Sequence, residues 1–375
     1  MRCKEIIKFL DDWAPPGIAW ERDNAGLQAG SPEAEISNIL LCLELTAQIL
    51  DEALSKQCSL IITHHPLIFN GIKKLNFASD PNAQLLSLLI KNDITVLSYH
   101  TNLDYTKSGV SCQLAKVLGL KNILPLVPLK SLQSKLVVFV PVDSKEQVMK
   151  ALFAEGAGTI GNYSQCSFSS SGEGTFYGSS ETKPAIGRKE TFTRVEEAKV
   201  EVAVENWKLA AVVSALKNAH PYEEPAFDIY PLQIPHLTYG AGAIGDYEQP
   251  MFDDLFLKHT RNCLQLNNFR YSKGKSSSIG RVAVCGGSGI EYLKDAIAGG
   301  ADAFITADIK YHSFHDAAGK IYLIDAGHFE TEIIILPEIQ RRLSEQFPQL
   351  SSQIFITDYS SNPVKFYIHN EGISI

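Results

Sequence analysis

Short, nearly continuous apolar runs alternate with helix-period segments toward both ends of this sequence, a rhythm that a parallel sheet flanked by helices satisfies. From Ile36 to Leu43 the apolar residues scarcely break, and Thr46 then stands where an N-cap is needed before a helix over residues 47–56. The order repeats: SLIITHH (59–65) reads as a buried strand, NAQLLSLLIKN (82–92) as a helix, ITVLSYH (94–100) as a strand and GVSCQLAKVLGL (109–120) as a helix. It returns late in the chain with SIGRVAVCGG, EYLKDAIAGG, ADAFITA, IKYHSFHDAAG and KIYLIDAGH, and closes on a helix around PEIQRRLSEQF. The expectation is an α/β fold in which residues 1–130 and 236–375 supply two α/β halves of one domain.

The stretch between them, residues 131–235, reads differently. KLVVFVPV is a strand and SKEQVMKALFAEGAG a helix, after which the Ser/Gly-rich SQCSFSSSGEGTFYGSS interrupts the pattern. AKVEVAVE, WKLAAVVSALKNAH and FDIYPL then give strand, helix and strand, the order of a small ferredoxin-like α+β insert. The Ser/Gly tract is either a ligand loop or a solvated hairpin; its lack of strong charge and aromatic enrichment favours the hairpin.

Composition narrows the functional classes. A chain of 375 residues, 45% hydrophobic, can build two cores. Lysine and arginine total 34 against 42 acidic residues, and no basic run offers a face to phosphate backbones, which argues against nucleic acid. The start, MRCKEIIKFLDDWAPPG, is broken by Lys8, Asp11 and Asp12 before it could serve as an export signal. No run approaches the roughly 18 apolar residues of a membrane span, so a membrane protein is not expected. The seven cysteines are scattered with no CxxC pair, which fits free thiols in a reducing cytoplasm. A metal would therefore be held by histidine and carboxylate.

Such residues gather where strands end, the position at which open α/β sheets collect ligands. His64 and His65 close SLIITHH, and neutral imidazole suits zinc, iron and manganese. His100 and Asp104 follow the next strand, and His328 and Glu332 follow KIYLIDA, one helical turn apart if that segment is helical. Pro337 leaves open whether a helix there is kinked or begins after an irregular turn. Glu330 would point away from the pair, toward solvent.

Three strand ends thus bring His64, His65, Asp104, His328 and Glu332 to one rim. Two carboxylates among five ligands suit two cations, because a carboxylate can bridge metals roughly 3.5–4 Å apart; a mononuclear site is the alternative. Either would activate water for hydrolysis. His100 is left to orient a ligand, to transfer a proton or to make a structural hydrogen bond. Gly240–Gly245 spells GxGxxG but precedes no helix, so no dinucleotide site is expected. Cys285–Gly289 lies between a strand and a helix, either as an anion cradle or as a tight turn.

ITHHPLIF, YHTNLD, the GGSG turn and GHFETE together resemble the NGG-one-interacting-factor-three-like family, whose members are also catalogued as GTP cyclohydrolase 1 type 2 homologues. The resemblance extends to DNAGLQAG (23–30) and AHPYEEPAFDIYPL (219–232), and so covers nearly the whole chain. It implies a two-part α/β domain around a dinuclear site, a ferredoxin-like insert similar to small trimeric signalling and copper-tolerance folds, and a toroidal homohexamer. Carried over by motif, the ligands are the same five residues, holding two divalent ions per subunit, zinc, iron or manganese. Glu44 stands where the family often has aspartate, and Thr306–Asp308 replaces a commoner glycine-glutamate pair. In the insert, His220, Tyr222, Glu223 and Glu224 either line a ligand pocket or form a structural turn.

The expected function is a metal-dependent hydrolase acting on a small, nucleotide-like or phosphorylated molecule. The competing reading is a non-enzymatic metal-binding ring with a ligand-sensing insert, in which protein ligands close the coordination sphere.

Overall fold

The computed structural model describes residues 1–366, and the chain divides into two compact units. One unit joins Met1–Val127 to the chain from Thr238 onward; the other is Pro128–Leu237.

Two sheets organise the first unit. One contains β1 (Gly26–Ala29), β2 (Asn38–Cys42), β3 (Cys58–Thr63), β4 (Thr95–Ser98) and β15 (Ile354–Ile356), in the order β1-β4-β3-β2-β15. Its strands are parallel except β1, which runs antiparallel to β4. The near-continuous apolar lettering of β2 and β3 follows from burial on both faces. Leu41, Leu60, Ile62 and Leu97 pack with Cys3, Ile6 and Leu10 of α1 (Cys3–Trp13) and with Ile339 and Leu343 of α12 (Leu336–Gln346). The opposite face sets Leu40, Ile61 and Val96 against α2 (Ala47–Ser55) and α3 (Pro81–Lys91). Thr46 caps α2, its hydroxyl accepting from the Ile49 amide at 3.3 Å.

The other sheet runs β11-β14-β13-β12-β10-β5, from β5 (Lys121–Lys130), β10 (Pro235–Phe252), β11 (Arg270–Ser272), β12 (Ser278–Ser288), β13 (Ala303–Ala307) and β14 (Tyr322–Asp325). Its centre, β12-β13-β14, is parallel. Alternate residues face opposite layers: Val282 and Val284 meet α5 (Val110–Val117) and α8 (Asp253–Cys263), whereas Ala283 and Phe304 meet α9 (Leu293–Ala298) and α10 (Tyr311–Ala317). Each fully buried Leu, Ile or Phe in these layers contributes about 1.5–3 kcal/mol. The sequence places all the site-bearing strand ends on one rim; here they belong to two sheets. The histidines after β3 and β4 come from one, and the helix after β14 comes from the other. The two sheets are connected through α5 and through α11 (His328–Glu332), which packs on β12.

The second unit has β6 (Gln133–Pro141), α6 (Lys145–Ala154), β7 (Phe168–Tyr177), β8 (Phe192–Glu205), α7 (Leu209–Ala219) and β9 (Phe227–Leu232). The strands form one antiparallel sheet ordered β7-β8-β6-β9. Leu136, Val138 and Val140 alternate inward with Val200, Val202 and Val204 to meet Val148, Leu152, Val212 and Leu216 of the helices. The Ser/Gly tract that breaks the sequence rhythm is the exposed edge strand β7, paired along its length with β8. Lacking a buried face, it carries no apolar alternation to read. Among the described residues, no helix is long and apolar enough to cross a membrane.

Candidate metal centre

The chain after β3 turns so that both the His64 and His65 amides donate to the Leu43 carbonyl, at 3.1 and 2.9 Å. That shared anchor holds the two imidazoles side by side, ring centroids 4.9 Å apart. After β4, α4 (Thr101–Tyr105) begins at once and is pinned by buried Asn102, whose side chain accepts from the His100 amide and donates to the Ala14 carbonyl. Asp104 thereby faces His64, with Oδ1 3.6 Å from Nε2. After β14, Gly327 turns the chain at φ 87° into α11, a five-residue helix that sets His328 and Glu332 on one face. Three 3-10 residues follow before α12 starts with Pro337 in its first turn, so the proline opens a new helix and kinks none.

Glu332 is the centre of the cluster and is 3% exposed. Its Oε1 lies 3.1 Å from His328 Nε2 and 3.7 Å from His64 Nε2, and its Oε2 lies 3.1 Å from His65 Nε2. His64, His65 and Glu332 each present a ligand atom within 4.8 Å of the others, a group able to hold a metal ion. Two buried polar atoms here, His64 Nε2 and Asp104 Oδ1, have no hydrogen-bond partner. Orphaned buried groups cost about 1–3 kcal/mol each, and two facing each other beside the Glu332 carboxylate fit a cation that supplies the missing partner.

Every imidazole is fixed from behind. Nδ1 of His64 meets the Tyr99 carbonyl at 2.8 Å, that of His65 meets Glu44 at 2.8 Å, and that of His328 meets Asp308 at 2.7 Å. His100 completes the pattern with Asp23 at 2.8 Å, its ring 5.4 Å from that of His64 and 5.3 Å from that of His65. A carbonyl or carboxylate can only accept, so each neutral ring carries its proton on Nδ1 and keeps a lone pair on Nε2. Glu44, Asp23 and Asp308 were not assigned these roles from sequence, since each lies 20 or more positions from its histidine.

The charges follow from this packing. Burial opposes protonation of His65, but contacts with Glu332 and Glu44 overcome it and push its pKa up to about 10. His328 rises to about 9, mainly through Glu332 against the opposing effect of burial, with Asp308 adding to it. Burial would raise Glu332 too, yet the surrounding imidazoles hold it well below the usual carboxylate range. Asp104 goes the other way, raised chiefly by burial. Asp23 is held at about 2 despite burial by hydrogen bonds from His100 and Thr101.

The glycine turn after β12 is part of this centre. The Gly286, Gly287 and Gly289 amides donate to the hydroxyls of Ser111, Thr331 and Thr306 at 3.2, 3.0 and 2.9 Å. With these amides taken, the turn reading replaces the anion cradle. Gly287 sits at φ 61°, and a Cβ there would overlap the Glu332 carboxylate and approach His328 Nε2 to 3.2 Å. Glu330 is half-buried where solvent exposure was expected, because the Asn362 amide donates to it at 3.0 Å. In the second unit His220 is engaged at both nitrogens, by the Phe139 carbonyl and the Tyr222 amide, as in a structural turn, whereas Tyr222, Glu223 and Glu224 line a cavity.

The family model for Duf34/NIF3 (NGG1p interacting factor 3) matches residues 1–363. A Halalkalibacterium halodurans protein called GTP cyclohydrolase 1 type 2 homolog is 38% identical over 91% of this chain and 91% of its own length. A Bacillus subtilis protein of the same name is 35% identical over 97% of this chain and 98% of its own. Among solved structures, a Bacillus cereus protein related to NIF3 superposes with TM-score 0.80 at 35% identity, covering 98% of this chain and 99% of that one.

Proposed function

This chain belongs to the Duf34/NIF3 family, and from that premise we propose that it is a dinuclear-metal-dependent hydrolase of a small molecule. The observation that carries the reading is that His64 Nε2 and Asp104 Oδ1, buried and without hydrogen-bond partners, face the same space as the Glu332 carboxylate. His64, His65, Asp104, His328 and Glu332 would hold the ions, with the Glu332 carboxylate lying between the three imidazoles and Asp104 beside His64. A bound pair of divalent ions, zinc, iron or manganese, would supply an activated water at neutral pH and open positions for a substrate atom.

The protein's own groups then have distinct tasks. Glu44 and Asp308 hold the His65 and His328 rings so that Nε2 faces inward. His100, its Nδ1 proton committed to Asp23, keeps Nε2 free to accept a proton beside the cluster. His65 and His328 are 21% and 39% exposed and border a cavity of about 500 Å³, which supports an open site over one closed by protein ligands.

The strand order of the second unit, with both helices on one core, supports reading it as a ferredoxin-like insert. Assembly as a toroidal hexamer in the cytoplasm completes the proposal, and light scattering on the purified chain tests the stoichiometry. The functional test is metal analysis of protein purified without chelator, followed by a hydrolase substrate screen of wild type against His65→Ala. Two ions per chain and turnover lost in the variant are expected. Metal retained with no turnover on any substrate would favour a structural ring, and full turnover in the variant would refute metal catalysis.

A further inference from the structure

The segment that follows β15 runs to the metal centre. β15 lies parallel to β2, and the Thr357 amide extends that pairing by donating to the Leu41 carbonyl at 3.0 Å. Glu52 of α2 anchors the next turn, accepting from the Asp358 amide at 3.0 Å and from the Thr357 hydroxyl. Because the two strands run in step, the residues just past their ends emerge together, Glu44 from β2 and Ser361 with Asn362 from β15. These two neighbours grip different carboxylates. The Ser361 hydroxyl donates to Glu44 Oε2, while Oε1 of the same group holds His65 Nδ1 at 2.8 Å. The Asn362 side-chain amide donates to Glu330 Oε1 at 3.0 Å, and its Oδ1 accepts from the Val364 amide at 2.9 Å, which fixes the way the carboxamide faces. Glu330 can fold back to this position because Gly327 has no side chain: a Cβ there would lie 2.2 Å from Glu330 Oε2.

The two carboxylates come from opposite parts of the site. Glu44 follows a strand of the first sheet, whereas Glu330 sits on α11, between His328 and Glu332, after a strand of the second. Adjacent residues of one segment therefore tie together the two sheets that deliver the candidate ligands, on the side where the His65 and His328 rings stand 5.4 Å apart. An imidazole ligand is placed by the group behind it, and a carboxylate with one oxygen free can swing away from the ring it holds. Glu44 has both oxygens engaged, so Ser361 removes that freedom. We infer that Ser361 and Asn362 form a clasp that positions His65 against His328, which makes the segment after β15 a working part of the metal centre. The consequence for metal affinity rests on the metal-dependent reading; the positioning of the His65 ring does not.

The test uses the full chain, with zinc and cobalt ions as probes. In chelator competition, the double substitution Ser361→Ala with Asn362→Ala should hold zinc about tenfold more weakly than wild type. Both side chains are half-buried at the surface, so the fold should survive their loss. In a Glu44→Ala background Ser361→Ala should add no further loss, and in a Glu330→Ala background neither should Asn362→Ala, because each contact acts through that one carboxylate. The absorption spectrum of the cobalt-loaded protein should change in Ser361→Ala and return to the wild-type form in Ser361→Thr, which keeps the hydroxyl. Without any metal, solvent exchange of the His65 Nδ1 proton, followed by NMR, should quicken by about tenfold in Ser361→Ala. Proton exchange unchanged in Ser361→Ala would overturn the inference. So would a zinc loss from Ser361→Ala that is equally large with and without Glu44, since the contact would then only tie down the segment. A wild type that takes up neither ion refutes the metal-dependent reading alone, and the exchange measurement on metal-free protein still decides the clasp.

Discussion

Metal binding to this protein should depend steeply on pH, and the slope can be worked from the site. In the metal-free protein His65 titrates at about 10 and His328 at about 9, both raised by contact with Glu332 against the opposing effect of burial. Both rings are therefore imidazolium at neutral pH, whereas a metal requires the Nε2 lone pair. Each ion-pair proton must leave as the metal enters. Between about pH 6 and 8 two protons should be released by a metal that binds through His65 and His328, so its apparent affinity should rise about 100-fold per pH unit. The slope should flatten only above the two pKa values, as pH passes about 9 and then about 10.

The sign in the metal-free fold is the opposite. A histidine pKa raised above its unfolded value stabilises the fold fully below about pH 6.5, and the contribution is lost as pH climbs through the folded pKa. The metal-free protein should thus melt at progressively lower temperature on going from neutral pH toward 9 and 10, the window set by His328 and His65. Competition titration against a chromophoric chelator at several pH values measures the affinity slope, and calorimetry in buffers of different ionisation enthalpy counts the protons. NMR titration of Glu332→Gln is the control: both imidazoles should return toward about 6.5 once that carboxylate loses its charge. A slope near zero from about pH 6 to 8, or unchanged histidine titrations in Glu332→Gln, would refute the electrostatic account of the centre.

Glu332→Gln should also weaken metal uptake by at least about 100-fold, read by elemental analysis after dialysis, since it removes the carboxylate central to all three imidazoles. Asp308→Ala and Glu44→Ala each free one imidazole to rotate and should cost about 10–100-fold in affinity with the fold intact, measured by chelator competition. Gly287→Ala should lower both stability, by about 1–3 kcal/mol in denaturant melts, and metal content, because its backbone is left-handed and its Cβ would displace Glu332. Phe304→Ala, fully buried in the second sheet of the first unit, should cost about 3–5 kcal/mol without altering the centre's ligands.

The alternation of apolar runs with amphipathic segments was legible because local burial writes itself into residue order. β2, β3 and β13 are covered on both faces and so read as continuous apolar stretches, and Thr46 announces its helix by a contact three residues away. β7 was not legible, because an edge strand exposed on both faces has no apolar pattern to display. The candidate ligands His64, His65, Asp104, His328 and Glu332 could be singled out since each follows a recognisable strand. Tertiary structure alone decided that two sheets, not one, deliver them, and that Glu332 rather than Asp104 stands among the imidazoles. It also selected Asp23, Glu44 and Asp308 as the groups behind the rings, across separations of 77, 21 and 20 residues. The physical reason is range: periodicity and capping act within a few residues and leave a trace in sequence order, whereas a hydrogen bond between distant side chains exists only once the sheets have been packed.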